Sequence, residues 1–287
     1  MARVAQVSED GGTPTPSSSD DKAKINKRHS GAHLGESEAD SNFGSSMPNF
    51  DIFPEFLRVG PWSISAYATL LGIVIWLLVY AGDAWESYKA VISSQVPETT
   101  MAVWLSQPSL LAYTVYVHVH CVKKASWWPY VSYTMAAYVL LTLRFALCFL
   151  GLRQLAEVLR FPCLVMGLIT TSIWWLVLVP IFLVAMPGGE KARRRFTKFN
   201  FSFFLVNVHL FNSVLAWYDH WSTMRPLVLC DLWLAILFAF IYVLFYLLVL
   251  DPRGLHFYII LSPRPWWCCF CYGACIGVYV GIYMALQ

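Results

Sequence analysis

Six ionisable side chains sit inside long apolar stretches: His118, His120, Arg144, His209, Asp219 and Asp231. An ionisable group in hydrocarbon costs several kcal/mol or more, so each needs a physical reason to be there. Histidine is the natural general base among them, because its proton exchanges near neutral pH. His209, Asn212 and Ser213 are spaced i, i+3 and i, i+4, which puts all three on one face of an α-helix. An amide one turn from an imidazole can fix the position of the ring. Hydroxyls and amides recur at depth as well: Ser106, Gln107, Thr114, Asn207 and the run Thr170-Thr171-Ser172. A hydroxyl within reach of a neutral histidine is an acyl-transfer nucleophile. The competing interpretation of the same residues is interhelical hydrogen bonding that serves packing alone.

The remaining candidates read as structural. Arg144 with Asp219 or Asp231 forms a polar core whose simplest role is a buried ion pair. His118 and His120 lie beside Lys123 and Lys124. They suit a membrane interface better than a metal, since H-x-H alone is a weak ligand signal. No metal or cofactor is expected. The Thr170-Thr171-Ser172 hydroxyls can bond back to their own helix. None of the eight cysteines forms a pair with zinc-finger spacing. Cys268, Cys269 and Cys271 precede the last apolar stretch, where juxtamembrane cysteines are candidates for S-palmitoylation.

These residues must be positioned by helices in a bilayer. Of 287 residues, 58% are hydrophobic and 13% charged, whereas a soluble domain carries about 25% charged. The net charge of +3 gives no reason to expect a nucleic-acid partner. Apolar stretches recur at the roughly 20 residues needed to cross hydrocarbon. The predicted fold is all-α, a multi-pass transmembrane helix bundle. Its seven spans cover 62–82, 101–121, 130–151, 161–185, 200–218, 228–250 and 266–286. Trp62, Trp85, Trp127, Trp128, Trp217, Trp221, Trp266 and Trp267 supply interfacial aromatics. Residues 1–55, rich in Ser, Asp, Gly and Lys, lack the apolar surface to offset ordering and are expected to be a disordered tail. Residues 56–287 form the bundle.

With seven spans and a cytoplasmic tail, fifteen Lys and Arg fall on the cytoplasmic side and four on the far side. That bias obeys the positive-inside rule and sets the N-terminus in the cytoplasm. The expected location is a membrane, endomembrane or plasma membrane. Helix rise puts His209 near the midplane and Ser106 nearer the far face, about 6 Å apart in depth. Arg144 and Asp231 fall in the same outer half, so spans two, three, five and six can contribute to one polar layer.

The stretch His209-Leu-Phe-Asn212-Ser-Val-Leu-Ala-Trp-Tyr-Asp219 resembles a signature of rolling-stone-like membrane proteins. It is followed by Ile241-Tyr-Val-Leu-Phe-Tyr246, by Leu255-His-Phe-Tyr258-Ile-Ile and by a last apolar span. The likeness covers spans five to seven and is loose upstream. These proteins are distantly similar to the androgen-induced and androgen-dependent TFPI-regulating family, which includes intramembrane hydrolases of fatty acid esters of hydroxy fatty acids. The resemblance implies a catalytic histidine at His209. It implies a nucleophile at Ser106, in Trp104-Leu105-Ser106-Gln107, where the family carries threonine; Thr114 is the fallback. Asn212 and Gln107 would support, by orienting the base or donating to the oxyanion. The implied partner is membrane lipid, with a lipid ester as substrate. The rolling-stone branch itself is associated with myoblast fusion, so the alternative is a non-catalytic membrane protein in adhesion, fusion or scaffolding.

Overall fold

The computed structural model describes residues 54–93, 101–185, 189–223, 225–256 and 258–287. The predicted disordered tail lies outside the described residues, apart from its last two positions. The described residues form helices and turns, with no strand among them. In chain order the α-helices are α1 (Glu55–Arg58), α2 (Ile64–Val79), α3 (Ala81–Ser93), α4 (Met101–Ala125), α5 (Tyr133–Phe149) and α6 (Arg153–Ser172). They continue with α7 (Val179–Ala185), α8 (Gly189–Asn200), α9 (Phe203–Val206), α10 (Asn212–Thr223), α11 (Leu229–Phe245) and α12 (Cys268–Leu286). Three π-helical segments interrupt them at Ile173–Leu178, Asn207–Phe211 and Tyr246–Leu250.

Serine hydroxyls set several helix starts. Ser63 accepts from Ala66 N at 3.2 Å and Ser132 from Met135 N at 3.2 Å, each satisfying a backbone donor that the helix leaves open. Asp231 does the same for α11, accepting from Val228 N at 2.8 Å. Pro108 in α4 and Pro162 in α6 each remove one ladder hydrogen bond.

Every predicted span is helical, but not every one can cross a membrane unaided. Three helices are long and apolar enough: Arg153–Val184, Leu229–Arg253 and Cys268–Leu286. Two bent pairs bring the number to five, Ile64–Val79 with Ala81–Ala90 at 45° and Gly189–Asn200 with Phe203–Ser222 at 59°. The predicted second and third spans do not reach that standard. The first of them, α4, carries Ser106, Gln107, His118, His120, Lys123 and Lys124, and α5 has only 17 residues. The helix of the predicted fourth span begins at Arg153, well before the expected boundary at 161.

The centre of the bundle is α6, which packs against α5, α10 and α11. Phe161, Cys163, Leu164 and Val165 are fully buried at these contacts. The outer faces are apolar too: Leu71, Leu78, Leu176, Val184, Leu248 and Met284 are all at least 60% exposed. A surface of this kind suits lipid better than water. Where the exterior is as apolar as the core, close packing and polar contacts between helices carry more of the association. Tyrosines supply part of that glue. Tyr133 shares a hydroxyl–hydroxyl bond with Tyr279, and the Tyr258 hydroxyl accepts from Tyr133 N at 3.1 Å. Tyr242 donates to Val131 O at 3.0 Å and Tyr246 to Tyr258 O at 3.2 Å. The aromatic blocks around 241–246 and 255–258 therefore join α5, α11 and α12.

Gly167 marks a close crossing of α6 and α10. A Cβ there would meet the Ser213 Cα at 3.3 Å and the Asn212 carbonyl carbon at 3.6 Å, both backbone atoms that cannot rotate away. Gly167→Ala is therefore expected to lose about 1–3 kcal/mol by overpacking. Gly281→Ala on α12 meets nothing within 4 Å and is expected to be neutral or slightly stabilising. Thermal midpoints of the two variants in one detergent check the contrast; equal losses would contradict the crossing.

Candidate functional site

Rare backbone geometry converges at His209. π-helical turns are uncommon and concentrate at functional sites. Asn207–Phe211 is one, and it carries His209; Ile173–Leu178 is another, and it carries Trp174. The two meet ring on ring: the His209 imidazole stacks on Trp174 with centroids 3.9 Å apart and planes 12° from parallel. Trp174 is held from behind, its Nε1 donating to Asn200 Oδ1 at 3.1 Å. Asn207 accepts from the Tyr113 hydroxyl of α4 and donates to Phe203 O at 2.7 Å. Three helical segments thus fix the ring plane of His209, which is only 6% exposed.

The polar capacity of this region is not filled. His209 Nδ1 has no hydrogen-bond partner, and neither has Oδ1 or Nδ2 of the fully buried Asn212. Gln107 Oε1 and Thr170 Oγ1 are likewise buried and unpartnered. An unmet buried polar group costs about 1–3 kcal/mol. Each such group in a folded protein calls for an explanation, an ordered water or a functional role among them.

The hydroxyls divide differently from the sequence expectation. Thr171 does not bond back to its own helix. Its Oγ1 donates to Ser213 Oγ at 2.9 Å, and Ser213 donates in turn to Leu210 O at 2.8 Å. That chain ties α6 to α10 and uses both protons. Thr114, the fallback nucleophile, is fully buried and donates to Leu111 O at 3.0 Å. Ser106 is half-buried on the first turns of α4, seven residues before Tyr113, the α4 side chain that bonds Asn207. The wider π turn also shifts the register between His209, Asn212 and Ser213 from the one-face α-helical spacing expected.

A second polar group is ionic and separate. Arg144 donates to Asp219 and to Ala156 O, and its Nη2 reaches Glu157 at 3.1 Å. Arg225 pairs with Asp231 at 2.7 Å and lies 3.6 Å from Glu157, and Arg160 lies 3.7 Å from Glu157. All six side chains are nine-tenths or more buried. Three guanidinium groups face three carboxylates, so formal charge cancels. Of the two partners expected for Arg144, Asp219 is the one found; Asp231 belongs to Arg225. This cluster joins α5, α6, α10 and α11, whereas the His209 ring is held against Trp174. Glu157 and Arg160 lie on the first turns of α6, ahead of the expected span boundary at 161, so the early start of that helix is what brings them inside.

His118 is half-buried and bonded at both ring nitrogens. Nδ1 lies 2.8 Å from the Tyr130 hydroxyl and Nε2 2.9 Å from Thr142 Oγ1. Thr142 already donates to Tyr138 O, so it accepts from His118 Nε2–H while Tyr130 donates to Nδ1. Both nitrogens are occupied, as in a structural core histidine. No group of three His, Cys, Asp or Glu able to hold a metal occurs among the described residues.

Near the last helix, Asp251 accepts Arg264 through both oxygens at 2.7 and 2.9 Å and faces His256 Nδ1 at 3.3 Å. Burial lowers the pKa of His256 below its ordinary 6.5, against the pull of Asp251 and with the help of Arg264 and Arg58. Protonation therefore costs the folded state more than the unfolded chain. The stability contribution is complete above pH 6.5 and falls as pH drops below it. His256→Gln is expected to flatten the acid side of the thermal midpoint against pH; an unchanged slope would contradict the assignment.

The three candidate acylation cysteines differ in access. Cys268 is fully buried against Ser63 and Ser65, both at 3.5 Å, whereas Cys269 and Cys271 are half-buried. No protein-family model, curated protein or solved structure matches the chain.

Proposed function

We propose that this chain is a multi-pass membrane protein of the rolling-stone-like type that hydrolyses lipid esters at a site built on His209. The observation that carries this reading is the set of unmet buried polar atoms, His209 Nδ1 and both ends of the Asn212 amide, beside a ring clamped on Trp174. The resemblance of 209–219, 241–246 and 255–258 to that family supports it, as does the apolar exterior, through which a lipid would arrive. In this reading all seven helical stretches cross the bilayer, the N-terminus is cytoplasmic, and α5 spans by virtue of its neighbours.

The chemistry is acyl transfer. His209 takes the proton of the Ser106 hydroxyl as that oxygen attacks the ester carbonyl. The acyl–oxygen bond of the alcohol then breaks, and His209 returns its proton to the leaving alkoxide. Water, deprotonated by the same imidazole, releases the acid. Asn212 or Gln107 donates to the oxyanion. We assign S-acylation to Cys269 and Cys271 and not to the enclosed Cys268.

The non-catalytic reading, adhesion or scaffolding, draws on the Thr171–Ser213 link and the Gly167 crossing, which use part of the polar layer as packing. Hydrolysis of a fatty acid ester of a hydroxy fatty acid by purified protein in detergent separates the two. Turnover by wild type and its loss in a folded Ser106→Ala variant is the expected result; turnover retained by that variant would remove Ser106 from the mechanism.

A further inference from the structure

The sequence presents Lys191, Arg193, Arg194, Arg195 and Lys198 as a basic connection between spans, but the structure makes it a helix, α8. One side of that helix is anchored. Phe196 is buried and packs edge-on against Phe182 with centroids 5.5 Å apart. Asn200, also buried, accepts Trp174 Nε1. The other side carries a shallow, open depression of about 470 Å³ between the exposed side chains of Glu190, Lys191, Arg194, Arg195 and Lys198, all on α8. Glu190 takes Arg194, at 2.6 Å from Nη2 and 3.1 Å from Nε. No ion pair among the described residues engages Lys191, Arg195 or Lys198. This face therefore carries more cation than its one carboxylate, Glu190, can balance.

Two further features say which anion. The axis of α8 turns 59° away from the following segment Phe203–Ser222. If that segment stands across the bilayer, α8 runs nearer the membrane plane than the normal. Its five cations also keep it out of hydrocarbon. At its C-terminal end Phe199 and Phe201 are exposed beside the basic face. Cations above and aromatic rings below match a phosphate headgroup with its acyl chains still in the leaflet.

We propose that α8 is an interfacial helix whose basic face binds the phosphate headgroup of an anionic membrane phospholipid. Because Asn200 at its end holds the tryptophan stacked on His209, headgroup binding orders the wall of the candidate site. The headgroup proposal does not rest on the esterase reading, since it is measured without turnover.

The test uses the full-length protein in neutral detergent with fluorescent dioctanoyl phosphatidylinositol bisphosphate as probe. Dioctanoyl phosphatidylcholine and free inositol trisphosphate serve as comparators. Wild type is expected to bind the anionic lipid in a salt-dependent way and phosphatidylcholine not at all. A Lys191→Gln/Arg194→Gln/Arg195→Gln/Lys198→Gln variant is expected to bind about a hundredfold more weakly or worse, at roughly fivefold per cation. The variant's thermal midpoint should be unchanged, because these side chains are exposed, and Lys191→Arg/Lys198→Arg should retain binding. Equal affinity in the quadruple variant, or no binding by wild type, would overturn the site. Free inositol trisphosphate binding as tightly as the lipid would overturn the lipid as its occupant.

Discussion

Replacing Arg144 with leucine is expected to destabilise the protein by about 3–5 kcal/mol, the usual cost of removing one member of a buried ion pair. The guanidinium lies between Asp219 and Glu157 and also donates to Ala156 O, with 1% of its surface exposed. Without it, two buried carboxylates lose the cation between them. Arg144→Lys is expected to rescue little, because a single ammonium cannot reproduce a planar fork spanning three acceptors. Arg144→Leu/Asp219→Leu should be less damaging than the sum of its single variants, since the pair leaves together. Glu157 then keeps Arg160 and Arg225 within 3.7 Å. Thermal midpoints in detergent measure the cycle. A loss under about 1 kcal/mol in Arg144→Leu, typical of an exposed pair, would contradict a buried cluster.

The second large effect is on turnover. His209→Ala is expected to lower ester hydrolysis by about 10²–10⁴-fold, the range of a general base. Asn212 gives a sharper contrast. Its amide is fully buried with both atoms unpartnered, so the fold carries a cost of about 1–3 kcal/mol there. Asn212→Leu, of similar volume, should be at least as stable as wild type while losing activity. That opposition is expected when a polar group is kept for function. A variant that is both less stable and fully active would mark Asn212 as packing glue.

Much of the helical plan was legible because hydrocarbon-length apolar stretches leave few alternatives. His209 and Asn212 stood out because polar groups in such stretches are costly. What stayed hidden followed from physics that single-sequence spacing does not encode. Trp174 read as one more apolar residue, although its stacking on His209 is what clamps the ring. The π turn at Asn207–Phe211 changes which neighbours share a face, and an α-helical wheel assumes the wrong period there. Glu157 and Arg160 precede the expected boundary of the fourth span at 161, so apolar length alone does not place them in the core. Their burial depends on α6 starting at Arg153 and on carboxylates from α10 and α11, Asp219 and Asp231. The basic connection at 191–198 looked like a loop, since its charges hid a helix anchored by Phe196 and Asn200.

The most direct test of the esterase reading is covalent labelling of wild-type protein with a fluorophosphonate, followed by peptide mapping of the adduct. The account predicts a single adduct on Ser106, lost in Ser106→Ala and nearly lost in His209→Ala, with both variants folded. An adduct on Thr114, or labelling of Ser106 that is indifferent to His209, would contradict the proposed pair. No labelling by wild type that is nonetheless folded would shift the reading to a non-catalytic membrane protein.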